Sequence, residues 1–441
     1  MSDPLLYVRA VHFAATLLVA GVAFFVVFIA EPAFRTAKDD NRVAVVVRSR
    51  LTWIARISLA LAVVSGAAWF DLTAAAMSGQ PVADVFSQGV WWTVLSETTF
   101  GNDWLVRFVL ACLLAGLFDP SLSEQRITSR WLKAALVIAA AAFAGSLAWA
   151  GHAAGGLGVE AIVHPAADVL HLIAAAAWVG ALIPLWLLLR AAGQDSLAIA
   201  RTATLRFSTL GIVAVATILA TGSINTWYLV GSIPALVGTD YGRLLSVKIA
   251  LFFVMVAVAA FNRLCLTPHL VQDGHPAATA AAAQQALRQL RRNAALEAAA
   301  GAIVVAIVAV LGTLPPASHA HHHPASGGIP ADATFQHIHT EQGMADITIE
   351  PGRVGPAHAT IRLWNGDFAP LAAQAVTLTL TAPSAGSKSV TRVAAQDSDG
   401  AWQVDGIELT QSGNWTVAVD AMLGPGNHLV LEAPIVIDPK Q

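Results

Sequence analysis

Charge is scarce in this chain. Asp, Glu, Lys and Arg make up 12% of its 441 residues, about half the roughly 25% of an ordinary soluble domain. The net charge is −3 and no basic stripe runs along the chain, which removes the electrostatic footprint of a nucleic-acid binder. Cysteine is nearly absent: Cys112 and Cys265 lie in or at the end of apolar segments, so a disulfide framework is excluded. There is no phosphate-cradling glycine loop and no Cys-Pro-Cys, so an ATP-driven pump is excluded and no enzyme is expected. The opening Met1-Ser2-Asp3-Pro4 has no basic stretch, and the apolar run from Leu5 to Ala33 is longer than the core of a signal sequence. The first segment therefore reads as a retained helix.

What is abundant is apolar surface: 56% of residues are hydrophobic and the mean hydropathy is +0.63. Apolar runs of about 20 residues indicate membrane-crossing helices. Eight are expected, at roughly 5–33, 53–78, 103–119, 131–152, 165–190, 206–231, 244–265 and 296–315. Lys and Arg gather in the loops after the odd-numbered spans, for example Arg35, Lys38, Arg42, Arg48, Arg50 and Arg56 after the first. Few lie on the other side (Arg9, Arg107, Arg243, Lys248). Positive charge marks the cytoplasmic face, so the N-terminus and everything after residue 316 are expected on the outer side, which in a bacterium is the periplasm. Pro276 to Leu290 reads as a cytoplasmic helix leading into span 8.

Two ionisable residues interrupt these runs at matching places. His12 is followed nine residues later by Gly21, and His171 nine residues later by Gly180. Thr98-Thr99-Phe100-Gly101 precedes Arg107 as Thr239-Asp240-Tyr241-Gly242 precedes Lys248. Ser65-Gly66 and Thr221-Gly222 form a weaker third match. Together they suggest a duplication, and parallel repeats place their sites near the repeat interface. The expected fold is an all-α polytopic bundle of eight transmembrane helices, in two parallel four-helix repeats, followed by a small C-terminal β-sandwich. The expected domains are 1–316, a His-rich linker 317–330 and 331–441.

An ionisable residue inside a membrane is costly and a functional candidate by default. His12, His152, His164 and His171 all fall in the outer half. His164, Asp168 and His171 follow i, i+4, i+7 spacing and share one helix face. Imidazole suits copper, zinc, nickel and iron, and a carboxylate beside a ligating histidine can orient the ring or accept its proton. A metal site is expected with His12 and His171 as inner ligands, His152 and His164 at the mouth and Asp168 behind them. Met255 and Cys112 are possible soft ligands within the membrane. Arg107 and Lys248 are expected to snorkel to the interface or pair with carboxylates.

After residue 316 the pattern changes. His319, His321, His322 and His323 form a His-rich tract, which suggests metal binding by composition. Alternating runs then follow at 345–349, 359–363, 376–380 and 415–419 with turn signals between them, the signature of a β-sandwich. His337 and His339 alternate on one strand and, with Met344, form a candidate metal-capture site.

Gly151-His152, Asp168-Val169-Leu170-His171-Leu172, Ala176-Ala177-Trp178-Val179-Gly180, Tyr241-Gly242-Arg243-Leu244-Leu245 with Lys248, and Phe261-Asn262-Arg263 together resemble the copper-resistance protein D family of bacterial inner-membrane proteins. The resemblance covers about residues 1–315 and implies an eight-helix protein linked to copper uptake. The tail, with Pro351-Gly352-Arg353-Val354-Gly355 and Gly413-Asn414-Trp415, is similar to the YtkA-like periplasmic domain. Copper is thus the expected ion, with the lipid bilayer and a periplasmic copper chaperone as partners and no nucleic acid. Two alternatives stay open: a b-type electron-transfer protein with haem b held by paired histidines, and a copper-binding assembly or sensor protein.

Overall fold

Long stretches without a side chain that prefers water leave the backbone to satisfy itself, and in lipid the helix does so within one segment. The computed structural model describes residues 4–36, 42–78, 80–122, 125, 128–150, 160–193, 196–270, 276–314, 332–340, 343–365, 370–382, 389–424 and 427–439. They separate into two compact units, Met1–His322 and His323–Gln441.

Among the described residues, the first unit holds eight helices long and apolar enough to cross a membrane. They are span 1 (Pro4–Phe34), span 2 (Arg42–Ser78), span 3 (Thr99–Leu117), span 4 (Arg130–Trp149), span 5 (Ile162–Ala191), span 6 (Leu197–Val230), span 7 (Asp240–Leu270) and span 8 (Ala281–Leu311). Several outrun their apolar cores. Span 2 begins at Arg42, eleven residues before the apolar run expected at 53, and span 8 continues one unbroken helix from Pro276. Hydropathy marks only the part that lipid covers, whereas Ala, Gln and Arg propagate the helix beyond it.

Spans 1 and 5 are the most enclosed and pack on each other, span 1 also against spans 2, 4 and 8 and span 5 against spans 4, 6 and 8. They cross at Gly21 and Gly180. A Cβ built on Gly180 would lie 2.9 Å from the carbonyl carbon of Leu17 and 3.2 Å from the Gly21 Cα, and one on Gly21 would lie 2.6 Å from the Gly180 Cα. Small residues at a membrane helix crossing admit this approach.

Spans 3 and 7 begin alike. Thr98 Oγ1 accepts from Gly101 N at 2.9 Å and donates to Val94 O at 2.6 Å. Thr239 Oγ1 accepts from Gly242 N at 3.0 Å and donates to Ala235 O at 2.8 Å. Each threonine caps its helix and ties it to the short helix before it, Val90–Glu97 or Ile233–Gly238. Gly101 and Gly242 lie against that short helix's last carbonyls, where a side chain would collide. The Thr-x-aromatic-Gly pattern thus builds the same helix start twice.

The second unit contains β1 (Thr334–Thr340), β2 (Gly343–Glu350), β3 (Gly355–Trp364), β4 (Ala375–Thr381), β5 (Val390–Val393), β6 (Ala395–Gln396), β7 (Trp402–Leu409), β8 (Gly413–Gly424) and β9 (Asn427–Ile437). One sheet has the order β1-β2-β3-β7-β6 and the other β5-β4-β8-β9. Period-two alternation puts Ile347, Ile349, Ile361, Leu378, Val417 and Leu431 in a shared core.

Candidate functional site

The first four spans close around His12. Its Nδ1 meets Ala62 O at 3.0 Å and Ser65 Oγ at 3.1 Å on span 2. Its Nε2 meets Arg107 Nη2 at 2.7 Å on span 3. A guanidinium only donates, so Nε2 accepts and the ring proton sits on Nδ1, donated to Ala62 O. Arg107 is 2% exposed, so it does not snorkel. It also donates to Ser146 Oγ at 2.6 Å and to Phe143 O at 3.3 Å, and these acceptors offset the cost of burying its charge. Trp69 and Trp104 present ring edges to His12 at centroid distances of 5.6 and 5.1 Å. The Arg9 guanidinium lies over Trp69 and donates to Gly312 O at 2.7 Å. The ring of His12 is therefore enclosed, and its lone pair faces a fixed cation.

The last four spans repeat the plan with a different outcome. His171 Nδ1 meets Thr221 Oγ1 at 3.1 Å, and Thr221 Oγ1 donates to Thr217 O at 2.7 Å. Since that hydroxyl proton is spent, the threonine accepts and the proton of His171 sits on Nδ1. Nε2 keeps its lone pair, and no hydrogen bond to it occurs among the described residues. His171 lines a cavity of about 670 Å³. Around it stand His164, Asp168, Asn225, Lys248 and Met255. Asn225 Nδ2 donates to Asp168 Oδ1 at 3.1 Å, and His164 stacks on Tyr228 at 5.3 Å.

Matching positions explain the difference. Four residues after the ring-binding Ser65 and Thr221 stand Trp69 and Asn225; three after the capping glycines stand Trp104 and Leu245. Two indoles fill the first half, and where smaller side chains replace them the second half is hollow. Three residues before the histidines stand Arg9 and Asp168. The first half thus surrounds its histidine with two arginines, the second with one carboxylate and one lysine.

The i, i+4, i+7 set His164, Asp168 and His171 comes together on the cavity wall, joined by Met255. His12 has its own partners, and no contact joins its ring to that of His171 among the described residues. Cys112 is exposed on the outer side of span 3. Arg107 and Lys248, expected to snorkel or to pair with carboxylates, do not snorkel: Arg107 is buried against His12, and Lys248 lines the cavity together with Asp168. His152 and the tract His319, His321, His322 and His323 lie outside the described residues. No three His, Cys, Asp or Glu side chains converge as a metal-holding group among the described residues.

In the β unit, His337 lies opposite Asp346 in register and its Nδ1 meets Asp346 Oδ1 at 2.6 Å. Trp364 Nε1 donates to Asp346 Oδ2 at 3.3 Å. His339 pairs with Met344 in the β1–β2 register, and Met344 is fully buried.

Sequence reasoning passed over one residue. Glu297 of span 8 is 3% exposed and its Oε1 has no hydrogen-bond partner among the described residues. An acidic residue beside Ala298-Ala299-Ala300, at the edge of the apolar run expected at 296–315, is the signal that could have found it.

Comparison with known proteins agrees with this architecture. Residues 1–162 match the family model "Copper resistance protein D-like, N-terminal domain" and residues 200–311 match "Copper resistance protein D". The chain is 33% identical over 275 residues to inner membrane protein YebZ of Escherichia coli (strain K12), covering 61% of this chain and 87% of that protein. It is 32% identical over 281 residues to copper resistance protein D of Pseudomonas syringae pv. tomato, covering 61% and 84%. It is 30% identical over 255 residues to copper transport protein CutJ of Bacillus subtilis (strain 168), covering 58% and 45%. With most of two such relatives covered and both halves of its membrane unit matched, the chain belongs to the copper resistance protein D family.

Proposed function

We propose that this protein carries copper inward across the bacterial inner membrane, with its N-terminus and β unit in the periplasm. The observation that carries the reading is the His171 cavity: an imidazole nitrogen with a free lone pair, its tautomer set by Thr221, beside a carboxylate and a thioether. Imidazole and thioether suit copper, and a hydrogen bond to the far ring nitrogen is the usual partner of a ligating histidine. His171 takes the ion from the periplasmic mouth, with His164 near the entrance, and Met255 offers sulfur further in. His12 joins only when Arg107 leaves its Nε2. A bis-histidine haem would need that same nitrogen, so the geometry supports copper as cargo over haem b. The names of the relatives, copper resistance and copper transport, point the same way.

The test uses the purified full chain in sealed vesicles. Copper is expected to accumulate inside. Asn225→Trp, which restores the indole of the first half, is expected to lower the initial rate at least about 10-fold, the smaller end of what disturbing a ligand's surroundings costs, while the protein still inserts. Binding without accumulation would favour the assembly or sensor reading. A Soret band lost on His171→Ala would favour haem.

In the same reading, residues 317–441 gather copper for the membrane unit, alone or from a periplasmic chaperone. His337 offers Nε2 while Asp346 orients its ring, with His339 and Met344 next to it in register. His337→Ala in the full chain is expected to remove one bound copper equivalent and to leave vesicle uptake at saturating copper unchanged. Unaltered stoichiometry by equilibrium dialysis would remove the β unit from the reading.

A further inference from the structure

Below the cavity the structure continues a buried polar column that the transport reading does not use. Val179, Ile218, Met255 and Gly301 are the cavity-lining residues furthest along their spans from the Thr239 end. Met255 Cε lies beside Gly301, 3.8 Å from where a Cβ would stand. Span 8 then repeats at helical spacing. Gly301, Val304, Val305 and Val308 line the cavity, and Glu297 and Asn293 extend the same face by one and two turns. Glu297 is 3% and Asn293 6% exposed. Asn293 Nδ2 donates to Asn262 Oδ1 at 2.6 Å, and Gln289 Nε2 donates to Asn293 Oδ1 at 3.0 Å. Asn262 opens a π turn in span 7, a distortion frequent at functional sites.

A carboxyl group in this setting has two stable forms: protonated and neutral, or ionised beside a cation. The charged and titratable groups on the helices packed against span 8 are Tyr7, Arg9, His12 and Glu31 of span 1, His164, Asp168, His171 and Arg190 of span 5, and Asp240, Tyr241, Arg243, Lys248, Arg263, Cys265 and His269 of span 7. Span 8 itself adds Arg288, Arg291 and Arg292. None bonds Glu297 among the described residues. Several are engaged elsewhere: Glu31 with Arg48 at 2.8 Å, Arg263 with Ser208 at 2.8 Å, and Arg291 with Leu189 O at 2.7 Å and Ala192 O at 2.6 Å. An isolated buried carboxylate is too costly to hold without a counter-charge, so at rest the group keeps its proton.

We infer that Glu297 is a proton-binding site in the cytoplasmic half of the path, giving up its proton as the copper ion descends from the cavity and so supplying the ion's counter-charge. Only the O–H bond changes. The proton passes toward Asn293, Asn262 and cytoplasmic water; when the ion leaves, a proton returns from that side. Asn293 and Asn262 are positioning residues for this exchange. The inference rests on the copper reading above, and its test separates the two.

The experiment adds silver(I), a redox-stable stand-in for Cu(I), to the detergent-purified full chain and follows difference infrared spectra and proton release. In the wild type a protonated-carboxyl C=O band is expected to bleach on silver binding. Glu297→Gln is expected to lack that band and to release about one proton fewer per bound ion, as metal-linked deprotonation requires. Glu297→Asp keeps an ionisable group and should retain the release with a displaced band, so the assignment stays testable if the glutamine variant fails to insert. Equal proton release from wild type and Glu297→Gln, or a band unmoved in Glu297→Asp, overturns the assignment while leaving the cavity reading intact. A wild type that binds neither silver nor copper overturns the transport reading itself.

Discussion

Gly180→Leu is expected to abolish assembly of the membrane unit. The substituted Cβ would run into the Leu17 carbonyl and the Gly21 backbone, neither of which is the yielding end of a side chain. Spans 1 and 5 are the central helices, so separating them disturbs both halves at once. Overpacking a core costs about 1–3 kcal/mol, occasionally more, and a clash of backbone against backbone belongs at or above the top of that range. Against a total stability on the order of 5–15 kcal/mol, that cost removes a large share of the margin and leaves the solubilised protein prone to misassemble and aggregate. Size-exclusion chromatography of the detergent-solubilised protein should show aggregate in place of a monodisperse peak. Gly116→Leu in span 3, with nothing within 4 Å of its Cβ position, should run as wild type. A monodisperse Gly180→Leu protein would mean that the two helices do not cross there.

The same pair of glycines shows what sequence carries and what it hides. The nine-residue step from His12 to Gly21 and from His171 to Gly180 was visible as a repeat, and its physical content is the helix crossing, because only glycine admits backbone contact. The Thr-x-aromatic-Gly motif was equally legible, since a threonine cap and a glycine packed on the preceding turn are local features. The count of spans followed from hydropathy, and the strands from period-two alternation. Helix ends were legible only in part: the Ala, Gln and Arg content showed the helix from Pro276 leading into span 8, whereas span 2 starts back at Arg42, well before its apolar run begins.

The site was legible in part. The spacing of His164, Asp168 and His171 placed them on one helix face, and all three line the cavity. What no local pattern could show is the divergence between the halves. It lies in pairs such as Trp69 and Asn225, or Arg9 and Asp168, which correspond only once the helices are superposed in register. Arg107 looked interfacial because it begins a span, yet it reaches inward to the lone pair of His12. Whether a charged side chain snorkels or turns inward depends on acceptors supplied by other helices, here Ser146 and Phe143 O.

That divergence sets up the sharpest functional expectation: His171→Ala should lose nearly all copper uptake, whereas His12→Ala should lose stability instead. Removing His171 deletes a cavity-facing imidazole nitrogen to which no hydrogen bond runs among the described residues. Thr221→Val, which keeps the ring and removes only the oxygen that orients it, should weaken copper binding by about 10–100-fold. Removing His12 takes away an acceptor of Arg107 and leaves a buried guanidinium short of a partner, a penalty of about 1–3 kcal/mol. Its effect should appear as a lower melting temperature, with copper uptake per folded molecule close to wild type. The measurement is initial uptake into sealed vesicles, normalised to the monodisperse protein recovered from them, alongside thermal unfolding. An equal loss of normalised uptake in both single variants would support instead one site shared by the two histidines, and would require Arg107 to swing out of the way during transport.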